Sequence, residues 1–461
     1  MTAAPTHSAS RSGEMGRRSH SRHLAVWVNG NRAATWTLAR RGNTQLQYDD
    51  AWVQAPYGRP LSLSLPFNLQ NRPLEGDRVH HYFDNLLPDS DAIRTRVAER
   101  FRTGSVEPFD LLKAIGRDCV GAVQLLDEDE TPDGYDRVDG TPLSEDAIER
   151  AIRDMLTPGR FAAAHDSDSD FRISLAGAQE KTALLWWDGR WQRPHGSTPT
   201  THILKLPLGL VGGRQADFTT SVDNEWLCLR LLKAYGLDVA QADIATFGEQ
   251  RVLVVQRFDR RIAPDGRRIL RLPQEDFCQV ENRSPLQKYE SDGGPGLPAL
   301  FERLRQSDEA ENDARMLMTT QILFWLLRAP DGHAKNFSIH LLPAGRFRLT
   351  PLYDVMSAYP VLGEGPNLWA PQKIRLAMAL LGKNKHYVMH AIQRRHFSST
   401  ARTVGFGESA EPLIETILAR TPAAIDEVKA RLPSGFSAYV ADSILGGLER
   451  AAKALEAMPA A

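Results

Sequence analysis

Apolar and polar residues change rhythm several times along the chain, and each change marks an element. Leu24-Ala-Val-Trp-Val28 runs into Asn29-Gly30 and resumes near Ala34-Thr-Trp-Thr-Leu38, a hairpin signal that Gln45-Leu-Gln-Tyr48 extends. Leu61-Ser-Leu-Ser-Leu65 alternates strictly up to Pro66, the period of a strand. The period then lengthens: Ala92 to Phe101 and Phe109 to Ile115 read as helices, and Val120 to Leu126 as a strand. Residues 24–126 are thus expected to form a small α+β domain. It shows no metal spacing and no nucleophile with a base, and Asp84 and Asp89 are expected to cap helices. An acidic stretch, Asp127 to Asp139, a helix from about Ser144 to Met155 and a Ser- and Asp-rich joint, Ala164 to Asp170, make 127–170 a linker with one helix.

Strand patterns dominate the next part, at Thr182 to Trp187, Thr201 to Pro207 and Arg251 to Phe258. One amphipathic helix interrupts them, Ser221 to Leu232, with Ser221 as N-cap and Tyr235-Gly236 as its stop. Beyond Asp259 the pattern turns helical: Leu300 to Leu304, Ala314 to Leu327 and three helices between Glu411 and Leu455. The expected fold is α+β and two-lobed, with a strand-rich lobe over 171–258 and a mainly helical lobe over 259–455.

Composition narrows the class. A chain of 461 residues is too long for one ordinary core. With 42% hydrophobic and 25% charged residues it reads as a globular protein. Cys119, Cys228 and Cys278 are widely spaced, so they read as reduced core thiols and not as metal ligands. Residues 1–23 are Ser-, Arg- and His-rich without an apolar stretch; they read as a disordered tail, and Arg17-Arg18 lacks the context of an export signal. No run approaches a membrane span, and the expected location is cytoplasmic.

Candidate chemistry centres on Asp331-Gly-His-Ala-Lys-Asn336, which follows the apolar run Ile322 to Leu327, and on Tyr353-Asp354. An aspartate and an asparagine five positions apart, then a second aspartate after a short strand, are the groups that phosphoryl transfer to a hydroxyl needs. One carboxylate accepts the hydroxyl proton; the amide oxygen and the other carboxylate hold magnesium beside the nucleotide phosphates. The usual His-Arg before the first aspartate is replaced by Ala329-Pro330. On spacing alone, a surface turn at Asp331-Gly332 and a helix N-cap at Asp354 account for the residues equally well. Chain order adds weight. Small residues Ser174, Ala176, Gly177 and Ala178 stand before a strand, as in a loop closing over phosphates, although a plain hairpin fits too. Lys205 follows in an apolar strand about twenty-five residues later, then Glu225 on a helix, then a hinge-like strand end at Gln256, Arg257 and Phe258. That is the order of the parts in a kinase. Between Gly365 and Gly407 there is no Asp or Glu while Lys373, Arg375, Lys383, Lys385, Arg394, Arg395 and Arg402 accumulate, which is either a phosphate-binding face or a solvated one.

The chain resembles the HipA family, kinase toxins of bacterial toxin–antitoxin pairs. The motifs that carry the resemblance include Arg59 to Pro66, Phe83-Asp-Asn-Leu-Leu-Pro-Asp89, Gly116-Arg-Asp118, Ser174 to Leu185, Arg257-Phe-Asp-Arg-Arg261, Leu272 to Asp276, Lys288-Tyr-Glu-Ser-Asp-Gly-Gly294 and Asp331 to Ser338. The resemblance implies a serine/threonine protein kinase that uses ATP and Mg2+, with Asp331 as catalytic base and Asn336 and Asp354 as metal ligands. It places Ala176, Gly177, Ala178, Gln179, Glu180, Lys181, Lys205, Gln256, Arg257, Phe258, His333, Ala334, Lys335, Asn336 and Tyr353 against the nucleotide. Gln256 stands where the family has an acidic residue, which leaves a backbone contact to adenine intact and a side-chain contact open. Ser174 takes the position of a self-inhibitory phosphoserine, and Lys383 and Lys385 those of DNA contacts. The implied partners are a HipB-like helix-turn-helix antitoxin, operator DNA reached through it (a nucleoid-associated state) and a protein substrate, an aminoacyl-tRNA synthetase. A small-molecule kinase and a non-catalytic corepressor are the competing classes.

Overall fold

The computed structural model describes residues 21–40, 42–156, 174–177 and 179–460. The first domain is an antiparallel sheet in the order Leu74–Glu75, Thr44–Tyr48, Asn31–Leu38, Arg22–Val28, Val123–Asp127. The chain is already in the first strand at Arg22, earlier than the tail reading expects. The helix Asp77–Asp84 covers the sheet, and Phe83 stacks on Trp36 with ring centres 3.9 Å apart. Such a pair contributes about 0.5–1.5 kcal/mol beyond the apolar area it buries.

Leu61–Leu65 is not a strand. The segment is a turn whose polar groups are met by side chains: the Tyr48 hydroxyl donates to the Leu65 carbonyl and accepts from the Leu61 amide, and Glu275 accepts from the Leu63 amide. Buried Ser62 also donates to Glu275. Alternation here reflects docking onto the second lobe, with Leu61 and Leu65 in the first domain's core. Asp84 caps nothing and pairs with Arg94 at 2.7 Å, while Ser90 caps the helix Asp91–Phe101. Asp89 is not a cap either.

The strand-rich lobe is a six-stranded antiparallel sheet ordered Ala242–Phe247, Gln250–Gln256, His202–Lys205, Lys181–Trp187, Arg190–Pro194, Gly140–Pro142. The helix Glu145–Leu156 lays Ile148 and Ile152 on one face with Leu184, Leu204 and Val252. The joint at Ala164 to Asp170 lies outside the described residues. The helix Ser221–Ala234 covers the other face and is buried almost all round, because it also meets the helical lobe.

That lobe is built on Ala310–Leu326, Arg394–Thr403, Glu411–Lys429 and Ala438–Glu456. Two long helices, not three, occupy its last part. Pro422 does not break Glu411–Lys429: it lies on the exposed side, while Ile414, Ile417, Thr421, Ala424 and Val428 stay buried. A small sheet, Gln274–Asp276 with Ser338–Leu341 and Phe347–Leu349, frames the loop that carries Asp331 and Asn336. Among the described residues no helix is long and apolar enough to cross a membrane.

Candidate active site

Two lysines face each other across neighbouring strands: Lys181 is registered opposite Lys205. Like charges so placed repel, and the repulsion needs anions to offset it. Lys205 has them, with Nζ 2.7 Å from Glu225 and 2.9 Å from Asp354. Burial alone would lower its ammonium, but the two carboxylates hold it well above the usual lysine range. Lys181 is brought down to about 8 by burial and by Lys205. Gly177 lies over it at φ +104°, a backbone state that residues with a β-carbon rarely adopt.

The catalytic-loop geometry grows from the end of the helix Ala310–Leu326. Its chain turns at Arg328 with φ +50° and passes Asp331 to the short turn Ala334–Asn336. The Asn336 amide nitrogen donates to the Asp331 carbonyl at 2.6 Å and to the Asp354 carbonyl at 3.4 Å, tying the two aspartate segments together. Asp354 has φ +59°, an uncommon backbone state for a residue with a β-carbon, of the kind that functional sites store. Burial would raise its carboxyl, yet Lys205 and Lys181 carry it well below the ordinary range, so it is ionised. Asp331 lies at the mouth, its side chain 46% exposed, with His333 Nε2 at 3.9 Å. Burial keeps the His333 imidazole neutral.

These groups line one cavity of about 510 Å³, together with Ala176, Gln179, Gln256, Arg257, Phe258, Lys335 and Tyr353. Tyr353 has its hydroxyl committed to the Lys335 carbonyl at 2.8 Å and turns its ring towards Phe258, with ring centres 5.7 Å apart. Three expectations are placed differently. The Glu180 carboxylate turns away to Arg96 on the first domain. Ala334 lies behind the wall, its amide on the Lys288 carbonyl at 3.1 Å. The Arg257 guanidinium is sealed in a buried ion network with Asp118, Asp259 and Thr200, so it offers the cavity backbone rather than charge. Ala178 lies outside the described residues. Ser174, Lys383 and Lys385 are not cavity residues; Ser174 is buried beside it, and the two lysines are exposed around the turn that follows the strand Arg375–Leu381.

The first domain supplies part of the wall, which the chemistry of its sequence did not suggest. Asp89 Oδ2 takes Lys288 at 2.8 Å, and Lys335 Nζ donates to Asn85 Oδ1 at 2.8 Å and lies 3.4 Å from Asp89 Oδ1. Only the motif Phe83 to Asp89 held a signal for them. Buried side-chain oxygens of Gln179 and Gln274 around the cavity have no hydrogen-bond partner within the described residues, as expected of a polar ligand site. No group of three or more His, Cys, Asp or Glu among the described residues is placed to hold a metal alone. The Asn336 amide oxygen and the Asp354 carboxylate are two hard donors, which suits a magnesium ion that takes its other positions from phosphate and water.

A family model described as the HipA-like C-terminal domain matches residues 173–425, and the HipA N-terminal domain matches 24–126. The chain belongs to the HipA family. Among its relatives, the Sinorhizobium fredii protein Y4mE, which carries the name of a kinase, is 35% identical over 77% of this chain and 82% of its own length. The serine/threonine-protein kinase toxin HipA of Shewanella oneidensis is 28% identical over 88% of this chain and 90% of its own. A solved structure of Shewanella oneidensis HipA with HipB and operator DNA superposes with a TM-score of 0.75 at 23% identity, covering 94% and 97% of the two chains. That likeness establishes the fold: this HipA-family chain is α+β, with a two-lobed kinase-like body behind its N-terminal domain.

Proposed function

We propose that this HipA-family chain is the toxin of a toxin–antitoxin pair, an ATP- and magnesium-dependent serine/threonine protein kinase. Its proposed target is an aminoacyl-tRNA synthetase, glutamyl-tRNA synthetase by analogy with the family, whose loss of activity stops translation. The observation that carries the kinase reading is the meeting of Asp331, Asn336, Asp354 and Lys205 at one cavity, with Asn336 bonded to both aspartate segments. Magnesium bound at Asn336 and Asp354 would neutralise the nucleotide phosphates. Lys205 and Lys181 meet those phosphates from the strand side. Asp331 accepts the proton of the attacking hydroxyl as the oxygen–phosphorus bond forms and the bond to the leaving diphosphate breaks. Its place at the mouth suits an acceptor on a macromolecule. Incubation with labelled ATP and cell lysate tests the reading: a labelled protein band is expected. Label in a metabolite, or none at all, replaces it with a small-molecule kinase or a non-catalytic corepressor.

Lys181 gives the site a pH dependence. With its ammonium brought down to about 8, the lysine is charged below that pH and increasingly neutral above it. Affinity for a non-hydrolysable ATP analogue should fall several-fold between about pH 7 and pH 9, the span over which such a group loses its charge. Lys181→Met should bind weakly with a flat profile; a profile unchanged by that substitution would refute the contact.

Ser174 is proposed as the self-inhibitory phosphorylation site. Its hydroxyl is fully buried and donates to the Leu86 carbonyl at 2.7 Å, while its amide donates to the Asp118 carbonyl at 3.2 Å. A phosphate carrying a charge of about −1.5 to −2 cannot stay in that pocket, so the modified loop must leave it and the nucleotide site loses its cover. Ser174→Ala should sustain phosphotransfer long after the wild type has fallen silent. Equal time courses for the two proteins sink the idea.

DNA contact is proposed through Lys383 and Lys385. Lys385 already pairs with Glu290 at 2.7 Å, so a DNA phosphate there exchanges one anion for another. Removing either lysine should flatten the salt dependence of operator binding by the antitoxin complex by about one unit per lost phosphate contact. An unaltered slope removes both from the interface.

A further inference from the structure

Lys288, Tyr289 and Glu290 are consecutive, yet their side chains reach three different parts of the molecule. Lys288 holds Asp89 of the first domain. Glu290 is buried, accepts the Ala379 amide at 2.7 Å and pairs with Lys385 at 2.7 Å. Gly296 leaves room for it: a β-carbon there would lie 2.4 Å from the Glu290 carboxyl. Between these anchors the Tyr289 hydroxyl donates to Asp331 Oδ1, and its ring meets the His333 ring edge-on at 4.9 Å. The Lys288 carbonyl also takes the Ala334 amide at 3.1 Å, so this segment and the catalytic loop are joined by backbone as well.

We propose that Tyr289 is a positioning residue for the Asp331 carboxylate, holding Oδ1 so that Oδ2 is turned to the incoming hydroxyl. This rests on the reading of Asp331 as the catalytic base. A carboxylate at the mouth of a cavity is otherwise free to rotate about its χ angles. In a kinase the residues before the aspartate help to fix it; here that place holds Ala329-Pro330, which have no donor side chain. The phenol does the work from a different segment. Burial and the neighbouring Asp331 push its ionisation far above the tyrosine range, which keeps the phenol protonated as a donor. The anchors on either side, Lys288 to one domain and Glu290 to the helical lobe, keep the ring in place without help from substrate.

Tyr289→Phe keeps the ring and removes only the donor. In full-length protein, transfer of labelled γ-phosphate into lysate protein should fall about 10- to 100-fold in kcat, the scale on which small misplacements act. KM for ATP and the Kd for a non-hydrolysable ATP analogue should stay within about twofold, since Tyr289 is assigned no nucleotide contact. A kcat at or above wild type overturns the proposal, because the phenol would then be idle or would block the base. A fall in kcat accompanied by an equal loss of analogue binding and a lower Tm also overturns it, since that is the signature of a merely structural contact. Asp331→Asn run alongside separates the two readings. If it keeps wild-type activity, the base assignment fails; if it is inactive while Tyr289→Phe is unimpaired, only the role of Tyr289 fails.

Discussion

Asp331→Asn is expected to lower γ-phosphate transfer by about 10²- to 10⁴-fold, the range over which a positioned general base acts. The change keeps volume and one oxygen and removes the charge proposed to receive the proton. The fold should not notice it. The Asp331 side chain is exposed at the cavity mouth, and the backbone contact that organises the loop, the Asn336 amide nitrogen on the Asp331 carbonyl, is untouched. Analogue binding should be preserved, because Lys181 and Lys205, proposed to face the phosphates, and Asn336 and Asp354, proposed to hold the metal, are separate lining residues of the cavity. Radiolabel transfer and analogue titration on the same preparation check this. Undiminished transfer removes Asp331 from the chemistry, and loss of both readouts assigns it to binding.

The second large effect concerns stability. Asp118→Ala is expected to cost about 3–5 kcal/mol, the penalty for stranding buried charge by removing one partner. Asp118, on the first domain, meets Arg257 at 3.2 Å, Arg260 at 2.9 Å and Arg271 at 3.1 Å, and also accepts from the Thr200 hydroxyl at 2.7 Å. Burial would raise its carboxyl, but Arg260, Arg257 and Arg271 hold it well below the carboxylate range. Without it Arg257 and Arg260 keep only Asp259 among the network's acids, and Arg271 loses the carboxylate it pairs with. The internal control is Asp265→Ala, which breaks the exposed Asp265–Arg268 pair at 3.6 Å and should cost well under about 1 kcal/mol. Denaturant unfolding compares the two. Similar midpoints would mean that water or rearrangement heals the network. Because Arg257 and Phe258 follow the hinge strand, Asp118→Ala should also loosen nucleotide binding.

The geometry of the candidate catalytic loop was legible because its contacts are local. Asp331 and Asn336 are five residues apart, and a short helical turn brings the amide onto the aspartate carbonyl whatever the rest of the chain does. Asp354 could be added because only the short strand pair Ser338–Leu341 and Phe347–Leu349 intervenes. The order of loop, strand lysine, helix and hinge was legible for the same reason: each element declares itself by its own period. The period failed where tertiary contact set the pattern. Leu61–Leu65 alternates because two leucines enter one core while the Leu63 amide and the Ser62 hydroxyl between them meet Glu275, more than two hundred residues away. Three helices were expected between Glu411 and Leu455, but one buried face runs unbroken past Pro422, from Ile414 to Val428.

The sequence by itself therefore determined the fold class and the parts of the kinase-like cavity that lie within a strand, a helix or a turn of one another. Only the tertiary structure decided that the first domain closes this cavity through Asn85 and Asp89 and staples the hinge through Asp118. It alone put Tyr289 on Asp331. Spacing within one element follows from backbone geometry, whereas a charge buried between two domains has its partner chosen by which surfaces meet, and no local period records that choice.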